Sequence, residues 1–348
     1  MHRSPRVIVV GGGIAGLTAA LNISQRGAHV SLVEREAVLG GRALNVCCKA
    51  IDGVCQSCGG CLLADRLAAV TSSDRIDVHT LTSITHLQRE NAGFALQCSG
   101  SYDQDIQADA IILATGFDHI DAHTKGPYGF GIVPAVTTGE EMERRFKEQG
   151  QATYDDIGLH KVAFIQCVGS RDEHVGRGYS SFIVFRYALR LARVLKSRLP
   201  DLEITIFKMD IQTAGRDFAT TWQAVEMEGI RIVAGLPAVI RRSPENPRQA
   251  AFIYSDVLTG ELSHEAYDLV VLSTGIQPRR DAEDVAALYG INRGPYGFFA
   301  ARDDDTSTLA PGIFVAGCCQ APRAMAESVA HAQQAAEACA RYLQEKAL

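Results

Sequence analysis

The sequence predicts an α/β protein of two domains, at least one of them a Rossmann-like dinucleotide-binding unit. Three observations carry this. The run RVIVV (6–10) is followed at once by Gly11, Gly13 and Gly16 in the order G-x-G-x-x-G, then by Leu17, Ala20, Leu21 and Ile23 at helical spacing. Two apolar stretches, AIILATGF (110–117) and LVVLSTGI (269–276), end in the same turn: a small residue, then Thr, then Gly. The chain has 348 residues and is 47% hydrophobic, more than one compact unit usually holds. Its 32 glycines beside a single Trp suit many tight strand-to-helix turns.

Taken in order, the first strand and its glycines lead into a helix, and a second strand, HVSLVE, ends on Glu34. That context turns a weak glycine pattern into a specific one. The first glycine makes the turn, the second admits a pyrophosphate, and the third lets helix and strand approach. The helix start, with Ile14 and Ala15 between the glycines, offers backbone N–H groups and a positive dipole end to phosphates. Glu34, flanked by Arg35, is placed to accept hydrogen bonds from a ribose. GIFVAG (312–317) is a further strand, running into an Ala-rich helical segment. KVAFIQCV (161–168) and EITIFKMD (203–210) are strands between these features, the latter ending on Asp210. GPYGF recurs at 126–130 and 294–298 as a tight-turn element without chemistry of its own.

A formal charge of −6 gives no electrostatic argument for nucleic acid or an anionic membrane as partner. No apolar run reaches the roughly 18 residues of a membrane span. MHRSPRVIVVGGG enters a strand with no signal-like apolar region, which predicts a cytoplasmic protein. Ten cysteines in a reducing compartment argue for metal or redox chemistry rather than a disulfide framework. Five lie at 47–61: Cys47 and Cys48, then Cys55-x-x-Cys58-x-x-Cys61, with Gly53, Gly59 and Gly60 allowing tight curvature. This spacing is typical of a [4Fe–4S] cluster; zinc and a redox thiol pair are the alternatives. Cys98 and Cys339 read as buried small hydrophobes.

The strand–glycine–helix start, the two Thr-Gly turns and GIFVAG together resemble the two-dinucleotide-binding-domain flavoproteins, the superfamily of thioredoxin reductase and glutathione reductase. The resemblance covers nearly the whole chain. It implies a discontinuous FAD domain, 1–125 plus 275–348 with the cysteine segment 47–61, and an inserted NAD(P)-type Rossmann domain at 150–274. The FAD contacts it implies are Gly11, Gly13, Ile14, Ala15, Gly16, Glu34, Arg35, Gly40, Gly41, Arg42, Thr115, Gly116, Gly317 and Cys318. The inserted domain reads C-V-G-S-R where the family needs glycines, and only Gly169 survives. Basic and bulky residues there obstruct a close pyrophosphate, so this domain keeps the Rossmann architecture without its ligand.

The glutathione-reductase branch carries its redox disulfide on G-G-T-C-L-N-V-G-C. Here GGRALNVCC puts Ala43 at the first position and Cys48 at the second, so that disulfide cannot form. HAQQAAEA is not that branch's His–Glu base, and no C-x-x-C lies in the inserted domain as in thioredoxin reductase. The same alignment places Cys48 by the flavin, which makes it the fourth cluster ligand with Cys55, Cys58 and Cys61; Cys47 is its close rival.

IQCVGSRDE, MDI (209–211) and GIFVAGCCQAPR further resemble the HdrA component of heterodisulfide reductase, and the short form looks like HdrA-like proteins of sulfur-oxidising systems. The ferredoxin-type cysteine runs of longer HdrA chains are absent, and Cys167 stands alone. The resemblance implies an electron-transfer subunit with FAD and a [4Fe–4S] cluster, HdrB-like and HdrC-like partners, and a homodimer. The rival readings are an NAD(P)H-dependent disulfide reductase using Cys55 and Cys58, and a non-catalytic zinc-bearing Rossmann scaffold.

Overall fold

The computed structural model describes residues 3–90, 93–149, 158–173, 176–181, 183–210 and 218–347. The expected domain boundary at 150 lies outside the described residues. The chain divides into two units: Met1–Leu44, Gly59–Asp118 and Gln277–Leu348 form the first, and Asn45–Cys58 with His119–Ile276 the second.

The first unit is built on a five-stranded, all-parallel sheet. Its strands run in the order Ile313–Val315, Ala110–Leu113, Arg6–Val10, His29–Val33, Ile76–His79. Period-2 alternation sends Val7 and Val9 to one face and Ile8 and Val10 to the other. The Val7 face packs against the helices Ile14–Gln25 and Met325–Ala347, through Leu17, Ala20 and Ile23 from one and a run of alanines from the other. Leu17 and Ile23 are fully buried, worth about 1.5–3 kcal/mol each. The Ile8 face is covered by an antiparallel ribbon, Thr82–Glu90, Gly93–Gly100 and Ile106–Ala108, and by the helix Ala282–Tyr289.

The second unit repeats the plan. Its parallel order is Arg231–Ala234, Glu203–Lys208, Lys161–Val168, Leu269–Thr274, Val136–Thr138. Val162 and Phe164 face the helices Gly139–Gln149 and Ile183–Arg198. Ala163 and Ile165 face a three-stranded antiparallel sheet, where Phe207, Phe252, Tyr254 and Tyr267 form an aromatic cluster. Two Rossmann-like units are what the strand pattern predicts. The cysteine segment is the exception: the sequence reading assigns it to the first unit, whereas residues 45–58 pack with the second. The physical cause is a buried ion pair, described below.

No helix among the described residues is long and apolar enough to cross a membrane.

Candidate functional site

In the first unit the glycine fingerprint sits where the central strand meets its helix. A Cβ on Gly16 would lie 1.8 Å from the Gly11 carbonyl oxygen, and one on Gly11 would lie 2.4 Å from that of Ala114. Both are backbone contacts that cannot yield, so these positions close the turn. A Cβ on Gly13 meets nothing within 4 Å, so the outer side of the turn is open where a pyrophosphate would approach. The helix beginning at Ile14 has no side-chain cap, which leaves the first-turn N–H groups of Ile14, Ala15 and Gly16 for an anion.

Glu34 follows its strand directly and is buried. Its Oε2 accepts the Gly12 N–H at 2.6 Å and its Oε1 accepts the Glu36 N–H at 2.8 Å. Each oxygen keeps a lone pair for a ribose hydroxyl. Arg35 points instead to the rim, paired with Asp281 at 2.5 Å.

The Gly40–Gly41 turn lies against the fingerprint. The Gly40 N–H donates to the Gly12 carbonyl at 2.8 Å, and a Cβ on Gly41 would lie 3.2 Å from the Gly13 Cα. Arg42 is ion-paired with Asp118 at 3.0 Å, over the ring of Phe117. Thr115 and Gly116 form the turn after Ala110–Leu113, and Gly116 has open space around it. Gly317 and Cys318 begin the turn after the last strand. Cys318 is buried, burial pushes its thiol up, and its Sγ donates to the Arg323 carbonyl at 3.3 Å. It is therefore a neutral wall residue, not a charge in place of an acid. The pocket chemistry fits FAD: uncapped N–H groups, a carboxylate with free lone pairs, and space where a side chain would have intruded.

The cysteine segment is anchored within the second unit. Lys49 and Glu143, 1% and 3% exposed, form a buried ion pair. Glu143 Oε1 also accepts the Cys47 N–H at 2.7 Å. Burial, then Glu143, pushes the Cys47 thiol up to about 12. Cys47 is thus a core thiol in the same cluster as Phe164 and Leu189, while Cys48 is exposed.

The turn between Cys55 and Cys58 is held by two arginines of the helix Ile183–Arg198. Arg190 donates to the carbonyls of Gln56 and Ser57 at 2.9 and 3.0 Å, with its charge facing Cys55 and Cys58. Arg193 bonds the Gln56 side chain at 2.5 Å and pairs with Glu228. Cys61 immediately precedes the helix Leu62–Thr71 of the first unit. No disulfide joins any of the cysteines among the described residues. The residue types suit four-thiolate ligation. Among the described residues no group of three or more His, Cys, Asp or Glu is gathered as a metal site.

At the second unit's own strand-to-helix turn, Cys167, Gly169 and Arg171 all have positive φ. Arg171 reaches back to the strand-end acid, Asp210, at 2.5 Å. The strand-end carboxylate is half exposed and pairs through one oxygen with the turn's own arginine.

Sequence reasoning missed three residues. Glu143 carries a signal, an acid between Met142 and Phe146 on a helix's apolar face. Arg190 and His331 carry none; His331, buried, bonds the Gly317 N–H.

A sequence profile of the pyridine nucleotide-disulphide oxidoreductase family matches residues 5–338. Among curated proteins, the chain is 28% identical to the HdrA-type iron–sulfur component of CoB–CoM heterodisulfide reductase from Methanocaldococcus jannaschii, covering 95% of this chain and 63% of that one. It is 29% identical to the HdrA-type component of the H2/formate:CoB–CoM heterodisulfide, ferredoxin reductase of Methanococcus maripaludis, covering 96% and 63%. The chain thus spans less than two thirds of the length of these relatives. Among solved structures, Lactococcus lactis thioredoxin reductase superposes with a TM-score of 0.61 at 20% identity, over 98% of this chain and 100% of that one. An NAD-dependent persulfide reductase from A. fulgidus gives 0.58 at 21%, over 96% and 58%. With a fingerprint turn, a ribose-ready acid and two Rossmann-like units already in place, this chain belongs to the pyridine nucleotide-disulphide oxidoreductase family and is a flavin-dependent oxidoreductase.

Proposed function

We propose that the chain is the FAD-carrying electron-transfer subunit of a heterodisulfide-reductase-like complex in sulfur metabolism, working with HdrB-like and HdrC-like partners as a homodimer. The observation that carries this reading is the contrast between the two strand-end acids. Glu34, buried, is fixed by two backbone N–H groups beside the fingerprint and keeps lone pairs for a nucleotide, while Asp210, half exposed, is ion-paired through one oxygen with Arg171 of its own turn. The first unit thus holds the better-prepared acid and the second brings a cation into its own turn, which supports a protein that exchanges electrons with protein partners rather than with a nicotinamide.

When bound, FAD supplies chemistry in one- or two-electron steps. The chain's residues bind and orient it: the fingerprint helix takes the pyrophosphate, Glu34 the ribose, and the Gly40–Arg42, Thr115–Gly116 and Gly317–Cys318 turns wall the site. On the strength of spacing we also assign a [4Fe–4S] centre to Cys48, Cys55, Cys58 and Cys61. The test is anaerobic purification with flavin, iron and sulfide counts and EPR of the reduced protein. About one FAD and about four iron per chain are expected. Cys58→Ala is expected to lose the iron and keep the FAD. Yellow protein without iron that turns over NADH with a small disulfide would replace this reading with the disulfide-reductase one.

A further inference from the structure

His331 lies on the helix Met325–Ala347 and is 4% exposed. The Gly317 N–H donates to its Nδ1 at 2.9 Å, and its Nε2 lies 2.8 Å from the Asp305 carbonyl oxygen. A backbone N–H can only donate and a carbonyl can only accept. The ring is therefore neutral, with its hydrogen on Nε2 and a lone pair on Nδ1.

Gly317 is held on both sides. Arg323 donates to its carbonyl at 3.3 Å while His331 takes its N–H. Its φ is +74°, and a Cβ there would lie 2.6 Å from the Cβ of Ala15, on the first turn of the fingerprint helix. The ring thus ties together the Asp304–Asp305 loop, the Gly317–Cys318 turn and the C-terminal helix, beside the place where the phosphate-binding helix begins. A proton on Nδ1 would turn this acceptor into a donor facing another donor.

We propose that His331 is a positioning residue of the flavin site: its neutral ring fixes the Gly317–Cys318 turn against the fingerprint helix, and its protonation releases that turn, so flavin retention is proton-sensitive. The proposal rests on the flavin reading above. The groups facing the ring leave His331 as the source of such a step. Arg323 faces the ring with its guanidinium. Burial acts against ionised Asp304, yet hydrogen bonds from Ser307 and Thr306 hold it below the usual carboxylate range. Cys318, pushed up by burial, stays a thiol. The remaining neighbour is the carboxyl of Asp305. Burial, reinforced by Arg323, lowers the basicity of His331 itself, against the pull of Asp305 and Asp304.

The experiment measures FAD dissociation constants by fluorescence on full-length protein from pH 8 to pH 5, for wild type, His331→Asn and His331→Leu. Asn can offer an acceptor at the same position but does not titrate. Wild type is expected to lose at least roughly tenfold in affinity across the range, in a single-proton step. His331→Asn is expected to bind within about threefold of wild type at pH 8, without the step. His331→Leu strands a buried N–H and should bind roughly tenfold more weakly at every pH. Unchanged melting of the flavin-free Asn variant separates positioning from general stability. A wild-type curve flat over this range, or a step that survives in His331→Asn, overturns the proposal alone. Wild type that takes up no FAD at any pH overturns the flavin reading, and the proposal with it.

Discussion

Replacing Lys49 by Met tests what anchors the cysteine segment. The ammonium lies in the second unit's core beside Glu143, 5.5 Å from the centroid of the Tyr187 ring. Met fills similar volume and keeps the contact with the ring, so packing changes little. The electrostatics change greatly. Glu143 Oε2 has no hydrogen-bond partner among the described residues, and removing Lys49 leaves the carboxylate to neutral donors such as the Cys47 N–H. Breaking one side of a buried pair costs about 3–5 kcal/mol. An abandoned glutamate escapes by binding a proton, which costs about 4 kcal/mol at pH 7 and about 1 kcal/mol at pH 5. Lys49→Met is therefore expected to lose about 3–4 kcal/mol at pH 7, and progressively less as pH falls. Lys49→Met with Glu143→Gln keeps an acceptor for Cys47 and no charge, and should recover to within about 2 kcal/mol of wild type. Urea unfolding followed by circular dichroism measures the losses. Alkylation of Cys47, read by mass spectrometry, reports the local opening. A loss below about 1 kcal/mol in the single variant, or a double variant no better than the single, would refute the anchoring argument.

Three further outcomes follow from the same geometry. Glu34→Ala removes the acceptor of two backbone N–H groups as well as the ribose partner, and FAD titration should show affinity reduced roughly 10- to 100-fold with the fold intact. In the second unit burial pushes Glu265 up, but bonds from Lys161, Tyr254 and Arg231 outweigh it and hold its carboxyl at about 2. Its stabilisation is complete above the ordinary carboxylate range and lost as pH falls toward 2. Glu265→Gln should therefore cost about 1–2 kcal/mol at pH 7, after allowance for solvent around the exposed arginine, and nothing near pH 2 in acid titrations of unfolding. Because Arg171 pairs with Asp210 from within the turn where a pyrophosphate would approach, wild-type protein should bind NADH more weakly than about 1 mM by fluorescence, and saturable binding at micromolar NADH would contradict that reading.

What could be read from the sequence was local. The fingerprint is legible because its turn depends on absent side chains: a Cβ at Gly11 or Gly16 would strike backbone atoms set by neighbouring strands. Glu34 is legible because a strand's length fixes where its last residue falls. Both parallel sheets follow from apolar runs with period-2 faces, as Val7 and Ile8 show in one unit and Val162 and Ala163 in the other. What escaped were pairings across long stretches of chain. Lys49 meets Glu143 from 94 residues away, and Arg190 meets Gln56 from 134. Neither pairing leaves a periodic trace. For the same reason the cysteine segment reads as part of the first unit, though its anchors lie in the second.

The two units show why fold alone does not settle ligand choice. Each has a strand-end acid after the second strand of a parallel sheet, at the position where a ribose would lie. In the first unit the partners of that acid are backbone N–H groups, which saturate only part of a carboxylate's acceptor capacity. In the second, the partner is a guanidinium carried by the turn itself, which brings a competing cation to a half-exposed acid. Arg190 shows the same logic in the opposite direction. Its donors go to two carbonyls, so its charge is left facing Cys55 and Cys58 rather than being neutralised by a carboxylate. Within this chain, then, it is the partner given to each charge, more than the presence of the charge, that decides which corner of a Rossmann unit remains able to act.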